Sequence, residues 1–502
     1  MKARKKLYRS AAVQAADRCA VDFLGIPSEV LMENAGIACA DAACSMTKPG
    51  DRVVVLAGVG SNGGDGFVLA RHLARLGREP SVILAGSPER LRGPAALNYH
   101  ILSSLRIPCS HIDDMTDEAL RNALSQASLV VDALLGTGAS GAPKGAVLRA
   151  VVAAEDASCI LAIDGPTGVN LDDGTIPGAS IDADATVTMI AEKVGHRVSP
   201  GLWRCGDISV THIGVESSAI LDDQDAVSLV DEMFVSDRFP QTSRCAHKTS
   251  RGGVFLIAGS PRYSGAAALS ALGALRGGAG LCVVAAPAEV RSSLSSIPEC
   301  IFESLESPSD LVSVVERWRP RCSVAVLGPG LDRSDWSREV ASSFFGVWDG
   351  ASVIDGDGLF YLGELNPLRR ADRVLTPHEG EAGRLLGCSS REVATERLAA
   401  VDELGRRYGV ALLKGEGTLI GDGTHQAVVA AGSQSLAVPG SGDVLSGLVG
   451  AFMTRGCAPF EAAAIAAWVH GRAGELMEHR GVDGVLASEI AAVCPSVMGG
   501  LP

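Results

Sequence analysis

Arg52-Val53-Val54-Val55-Leu56-Ala57-Gly58-Val59-Gly60-Ser61-Asn62-Gly63-Gly64-Asp65-Gly66 decides the fold of the first half of the chain. Its β-branched opening reads as a buried strand over Arg52–Gly60. Five glycines in the last nine residues permit positive φ and close backbone approach. Phe67–Leu76 follows with helical spacing. A strand that turns through glycines into a helix is the unit of a parallel, doubly wound sheet, with ligands at the carboxyl ends of the strands. The helix entrance then offers free N–H groups to a phosphate. A tight turn with an Asp cap would also use glycines, but Asn62 and Asp65 add polar handles within this loop.

The same rhythm continues through Pro80–Gly86, Ala127–Gly138, Ser158–Gly168 and Ala183–Ala191, each ending in Gly or a turn. Two of these strand ends carry chemistry. One runs Asp132-Ala133-Leu134-Leu135-Gly136-Thr137-Gly138, the other Asp164-Gly165-Pro166-Thr167-Gly168. Asn62, Asp132 and Thr167 are hard oxygen donors. With carbonyls they could hold a cation of low charge density. Asp164 follows an apolar strand, where burial would raise its pKa and suit it to proton transfer. A turn Asp is the alternative reading.

At 502 residues the chain is too long for one core. Near Glu216–Arg244 the pattern loosens into acidic and polar residues, and a domain boundary is expected at about 218–235, with domains over 1–220 and 235–502. The second half restarts the alternation. Gly253–Ser260, Leu281–Pro287, Cys322–Gly330, Ser352–Asp357, Arg373–Thr376 and Val410–Gly421 read as strands, and Gly265–Arg276 and Pro459–His479 as helices. A net charge of −14 offers no footprint for nucleic acid, so an anionic nucleotide must be held locally by loops and helix ends. Thirteen scattered Cys without metal spacing suggest reduced core residues and a cytoplasmic protein. No signal peptide or membrane span is expected.

Pro439-Gly440-Ser441-Gly442-Asp443 runs straight into an apolar helical pattern. Free N–H groups and a helix dipole there suit a phosphate or a developing anion. Asp443 would hold or deprotonate a hydroxyl beside a phosphoryl group. Six strand ends of this half carry Gly beside polar or charged residues, and turns alone need no charge.

In order along the chain, Leu31-Met32-Glu33-Asn34-Ala35-Gly36, Ser61–Gly66, Asp132 with its Gly-Thr-Gly, and Asp164–Gly168 resemble the NAD(P)H-hydrate epimerase domain over about residues 8–215. The resemblance implies a Rossmann-like fold. It places the hydrated cofactor on Ser61, Asn62, Gly63, Gly64 and Asp65, on Gly136, Thr137, Gly138, Ala139, Ser140, Gly141 and Ala142, and on Asp164. It places potassium on Asn62, Asp132 and Thr167. Ser61, Gly165 and Thr167 stand where the family usually has Asn, Ile and Ser.

Residues 235–498 resemble the ribokinase-like NAD(P)H-hydrate dehydratase. The matching motifs are His247-Lys248, Tyr263-Ser264-Gly265-Ala266-Ala267, Gly328-Pro329-Gly330-Leu331, Thr376-Pro377-His378 with Gly380-Glu381, Lys414-Gly415-Glu416-Gly417-Thr418, Gly440–Asp443 and Trp468-Val469-His470-Gly471. This implies hydrated cofactor on Ala266, Gly330, His378 and Asp443. It implies ADP or ATP on Lys414, Gly415, Glu416, Gly417, Thr418 and Gly442, with Mg²⁺ at the phosphates. Thr249, Asp332 and Asp357-Gly358 depart from the family pattern, and Asp332 adds charge near a nucleotide. The implied activity is paired, an isomerase of R and S hydrates with a lyase acting on the S form. Small-molecule substrates, no nucleic acid or membrane partner and a homo-oligomer are expected. A vitamin or sugar kinase of the same fold would share the Gly-Ser-Gly-Asp loop, and the first domain could be a binding scaffold. Asn62, Asp132 and Asp164 speak against the scaffold.

Overall fold

The computed structural model describes residues 5–241, 245, 251–479 and 481–501. The chain divides into two compact units, residues 6–227 and, with Lys5, residues 228 onward.

In the N-terminal unit a seven-stranded parallel sheet runs in the order Cys109–His111, Glu79–Leu84, Arg52–Ala57, Leu129–Ala133, Ile160–Ile163, Ala185–Met189, Asp207–Thr211. The order reverses after Arg52–Ala57, as in a doubly wound sheet, and the crevice opens at the strands' carboxyl ends. Arg52–Ala57 is shorter than expected, because the helix begins at Ser61 and runs to Arg75, six residues ahead of the expected start. Gly63, Gly64 and Gly66 therefore lie inside the helix rather than in an open loop. Gly64 N–H already bonds to Gly60 O at 3.1 Å, so the free donors are those of Ser61, Asn62 and Gly63.

These glycines serve close packing. A Cβ on Gly63 would lie 1.9 Å from Gly58 O, and one on Gly66 2.6 Å from the Ala133 Cβ. Gly36, on the Ser28–Met46 helix, meets Val68 in the same way at 2.4 Å. The helix is thereby pressed onto the sheet and its neighbour, and its N-terminus is brought to the strand ends. The two outer strands escaped the sequence reading. Cys109–His111 is three residues long, and Asp207–Thr211 is polar and half exposed.

The C-terminal unit is built on Val227–Val230, Gln426–Val429, Leu419–Gly421, Val410–Leu413, Arg373–Leu375, Ala351–Ile354, Val324–Leu327, Gly253–Ile257, Leu281–Ala286 and Ile301–Ser304, in that order. The stretch expected as one strand over Val410–Gly421 is a hairpin. Val410–Leu413 and Leu419–Gly421 pair antiparallel, and Lys414–Thr418 is their connection. The acidic stretch expected to be loose contains the Val227–Val230 strand, parallel to Gln426–Val429, and the Glu232–Arg238 helix. The helices Ser264–Arg276, Ser441–Thr454 and Pro459–Glu478 supply much of the core with Ala, Val and Leu. No helix among the described residues is long and apolar enough to cross a membrane. No disulfide joins any of the described cysteines.

Gly63→Ala would push a methyl group into backbone, which cannot step aside as a side chain can. The expected cost is about 1–3 kcal/mol of overpacking, read as a shift of the N-terminal unit's denaturant midpoint without a change in slope.

Candidate active sites

The N-terminal strand ends enclose a cavity of about 1130 Å³. Its lining includes Ser61, Asn62, Asp65, Gly136, Thr137, Gly138, Ala139, Ser140 and Asp164. Gly63, Gly64, Gly141 and Ala142 lie off this surface. Asp132 and Thr167 are buried and also lie off it.

A chain of bonds joins the three oxygen donors. Asn62 Nδ2 donates to Leu135 O at 2.9 Å, Leu135 N–H donates to Thr167 Oγ1 at 3.1 Å, and Thr167 Oγ1 donates to Asp132 Oδ1 at 2.8 Å. The Thr167 and Leu134 N–H groups also donate to Asp132. Burial still raises the Asp132 carboxyl to about 6, against these hydrogen bonds. Asn62 Oδ1 is buried with no hydrogen-bond partner.

Asp164 corrects the expectation of a raised pKa. Burial does push it upward, but the Lys193 ammonium and the Thr137 N–H outweigh burial and hold it below the usual carboxylate range. Lys193 is fully buried and donates to Asp164 Oδ1 at 2.5 Å, Thr188 Oγ1 at 2.6 Å and Met189 O at 3.0 Å. The Thr137 N–H donates to Asp164 Oδ2 at 2.8 Å. Asp164 itself has φ +69°, a left-handed backbone that non-glycine residues rarely adopt. His196 Nε2 lies 2.9 Å from the Asp164 carbonyl and its Nδ1 accepts the Lys193 N–H. Burial depresses the His196 imidazole to about 4, so it is neutral. The sequence reading missed Lys193, His196 and Asp17, a further carboxyl of the cavity. Glu192-Lys193 directly follows the Ala183–Ala191 strand end, the same signal that located Asp164.

In the C-terminal unit the parallel strand ends bring two groups of residues together. A Cβ on Gly330 would lie 2.6 Å from the Ala266 Cβ, so these two are in contact. The second group centres on Lys414. Its N–H donates to Pro377 O, beside His378. Its Nζ donates to Asp355 Oδ1 at 3.1 Å and lies 3.7 Å from Glu381 Oε2 and 3.3 Å from a Cβ built on Gly442. Burial opposes the Lys414 charge, but Asp355 and Glu381 more than offset it and raise its pKa. Asp443 stands in the first turn of the Ser441–Thr454 helix. Burial first, then the Asp355 charge, raises its carboxyl to about 7 against the pull of Lys414.

His378 is exposed and caps its helix, accepting from Gly380 N–H. Gly415, Glu416, Gly417 and Thr418 form the hairpin connection, where Thr418 Oγ1 donates to Gly415 O. Arg397, which sequence reasoning missed, is buried beneath it. Arg397 pairs with Glu379 and donates to the carbonyls of Lys414 and Gly417. His470 Nε2 lies 3.1 Å from Ser441 Oγ. His247, Lys248 and Thr249 lie outside the described residues.

The departure at Asp332 is structural. Its carboxylate accepts from Ser334 N–H and Ser337 Oγ, and these bonds outweigh its burial and hold it below the usual range. The departure at Gly165 makes room, because a Cβ there would lie 2.5 Å from Leu171 and 3.2 Å from His196 Nε2.

Two α/β units, each gathering acids, a lysine and a helix N-terminus among its described residues, define a two-site enzyme of nucleotide-like anions. Residues 254–496 match the family model described as NAD(P)H-hydrate dehydratase, and residues 28–195 the model described as YjeF-related protein N-terminus. The chain is 38% identical to the bifunctional NAD(P)H-hydrate repair enzyme Nnr of Thermanaerovibrio acidaminovorans, over 98% of each chain. It is 34% identical to the enzyme of that name from Coxiella burnetii, over 96% of this chain and 97% of that one. Among solved structures, the ADP/ATP-dependent NAD(P)H-hydrate dehydratase from Bacillus subtilis co-crystallized with ATP and Mg²⁺ is similar at 25% identity and a TM-score of 0.47, covering 55% of this chain and 99% of that one. The chain belongs to the family of bifunctional NAD(P)H-hydrate repair enzymes.

Lys193→Met leaves the buried Asp164 without its cation. A loss of about 3–5 kcal/mol near neutral pH is expected for breaking such a pair. The depressed Asp164 pKa means its stabilisation is present above the ordinary carboxylate range and is lost as pH falls through the native value. The deficit of Lys193→Met should therefore shrink in acid, as denaturant unfolding at neutral and acidic pH will show.

Proposed function

We propose that the N-terminal unit interconverts the R and S hydrates of NADH and NADPH, and that the C-terminal unit dehydrates the S hydrate using ADP or ATP. The observation that carries the second half is the placement of Asp443, beside the Lys414 ammonium in the first turn of a buried helix. Asp443 takes the proton of the C6 hydroxyl as that oxygen attacks the terminal phosphoryl group. The N–H groups of Gly440 and Gly442 stabilise the phosphoryl charge, and Lys414 holds the phosphates against a chain of net negative charge. The ring nitrogen's lone pair then expels phosphate from C6, and loss of the C5 proton restores the dihydronicotinamide.

No group of three or more His, Cys, Asp or Glu among the described residues could hold a metal ion by itself. A Mg²⁺ in this site would be held chiefly by the nucleotide's phosphates, whose charge it would neutralise. In the N-terminal unit the orphaned Asn62 Oδ1 and the charge of Asp132 fit a monovalent cation, which would stabilise the carboxylate and the Leu134–Thr137 turn. The thirteen described cysteines, none of them in a disulfide, support a reducing compartment.

The test is a racemic hydrate of NADH supplied with ADP or with ATP, following the nicotinamide absorbance. The full chain should consume both epimers, and the fragment 228–502 only about half rapidly, since a fixed hydroxyl and phosphoryl group select one face of C6. Complete rapid consumption by the fragment, or release of a stable phosphorylated product, would overturn this division. Asp443→Asn should lower dehydration by about 10²–10⁴-fold, the range of a lost acid–base group, while nucleotide binding persists. Acting as a base, Asp443 must be ionised, so wild-type kcat/KM should rise with pH up to about 7 and then level.

For the cation, the melting temperature of the N-terminal unit should rise in KCl beyond its value in tetramethylammonium chloride. Asp132→Asn should abolish that difference.

A further inference from the structure

We propose, resting on the epimerase reading of the N-terminal unit, that Asp65 and Asp164 form one acid–base pair across the cavity, with Asp65 the proton donor and Asp164 the acceptor. Both side chains line the same cavity, but their surroundings differ in kind. Asp164 has a buried ammonium at 2.5 Å, a backbone N–H at 2.8 Å and the Thr188 hydroxyl at 3.3 Å. Asp65 is 7% exposed, on the buried side of the Ser61–Arg75 helix, and among the described residues its carboxyl has no hydrogen-bond donor and no cation partner.

Among the described residues, the titratable groups that act on Asp65 are acids. They are Asp17 from the Ser10–Asp22 helix, Asp164 from the Ile160–Ile163 strand end, and the Cys39 thiol from the Ser28–Met46 helix. Lys193, the buried cation of this cavity, is committed to Asp164, and Arg18 and Arg90 stand exposed. A buried carboxylate without a partner is costly, so Asp65 keeps its proton. Burial, followed by the Asp164 and Asp17 charges, raises its pKa well above the ordinary value. Two carboxyls driven apart in this way, one neutral and one ionised, are the arrangement that supplies an acid and a base in one site.

The chemistry balances without any further reagent. The C6–O bond breaks with its electron pair on oxygen, and the Asp65 proton turns the departing hydroxyl into water. The N1 lone pair forms the N1=C6 bond, which leaves C6 planar. Water returns to the opposite face, its oxygen bonds to C6 as the N1=C6 pair returns to nitrogen, and Asp164 takes the surplus proton. Exchange with solvent restores the starting protonation.

The experiment resolves the two hydrate epimers chromatographically, without nucleotide, on the full-length chain. Asp65→Asn keeps the side-chain shape but cannot give up a proton in this way. Its kcat for epimerisation should fall about 10²–10⁴-fold, with KM within a few-fold and with binding of the NADPH hydrate retained by thermal shift. Asp65→Glu should recover part of the rate. The wild-type rate should decline at high pH as the Asp65 proton is lost, and the residual Asp65→Asn rate should lack that decline.

An Asp65→Asn chain that epimerises at the wild-type rate, or that loses rate only in step with binding, overturns the proposal alone. A wild-type chain that leaves both epimers unexchanged overturns the epimerase reading and the proposal with it. If Asp65→Asn does not fold, the wild-type pH profile decides, and a rate that stays flat into alkali is the overturning result.

Discussion

Backbone contact between neighbouring strand ends, closer than any Cβ allows, is the constraint on which both sites depend. A Cβ on Gly58 would lie 2.0 Å from Leu134 O, and one on Gly328 would lie 2.0 Å from Asp355 O. In each unit a glycine lets one crossing chain rest on the next. Adjacent strand ends then deliver their polar residues to one place instead of splaying them apart. The helix that begins at Ser61 is drawn in by the same device, with Gly63 against Gly58 O, which brings the N–H groups of its first turn to the strand ends.

Among the described residues, each crevice sets one lysine among several acids. Lys193 answers Asp164 but not Asp65 or Asp17, and Lys414 answers Asp355 and Glu381 while Asp443 is left near neutrality. One cation cannot satisfy three carboxyls in a medium of low dielectric, so Asp164 is held below the usual range while Asp65 is pushed above it, and in the second unit burial raises both Asp443 and Glu381 in spite of Lys414. This asymmetry is what proton transfer requires. It also lightens the local burden of a chain whose net charge is −14. Burial raises Asp65 and Asp443, so these carboxyls add less negative charge to their crevices than their number suggests.

The departures from the family pattern are absorbed locally. Asp332 occupies a left-handed backbone at φ +62°, where glycine would be unstrained. Its side chain offsets that strain by accepting hydrogen bonds from the next turn. Gly165 leaves room for Leu171 and His196, so the turn after Asp164 is packed from outside rather than by its own side chain.

By itself the sequence determined the alternation of strands and helices, the glycine-marked strand ends and the motifs that place Asn62, Asp132, Asp164, Lys414 and Asp443 in their sites. These are local signals, because hydrophobic period, turn chemistry and residue type all lie within a few positions. The tertiary structure alone decided who neighbours whom. Asp164 looked from sequence like a carboxyl whose pKa burial would raise, and it is the opposite because Lys193, 29 residues later, lies against it. Val410–Gly421 looked like one apolar strand, yet it folds back on itself so that Lys414 and Thr418 share a turn above Arg397. A pKa, a counter-ion and a hairpin register depend on distances through space, and spacing along the chain does not encode them.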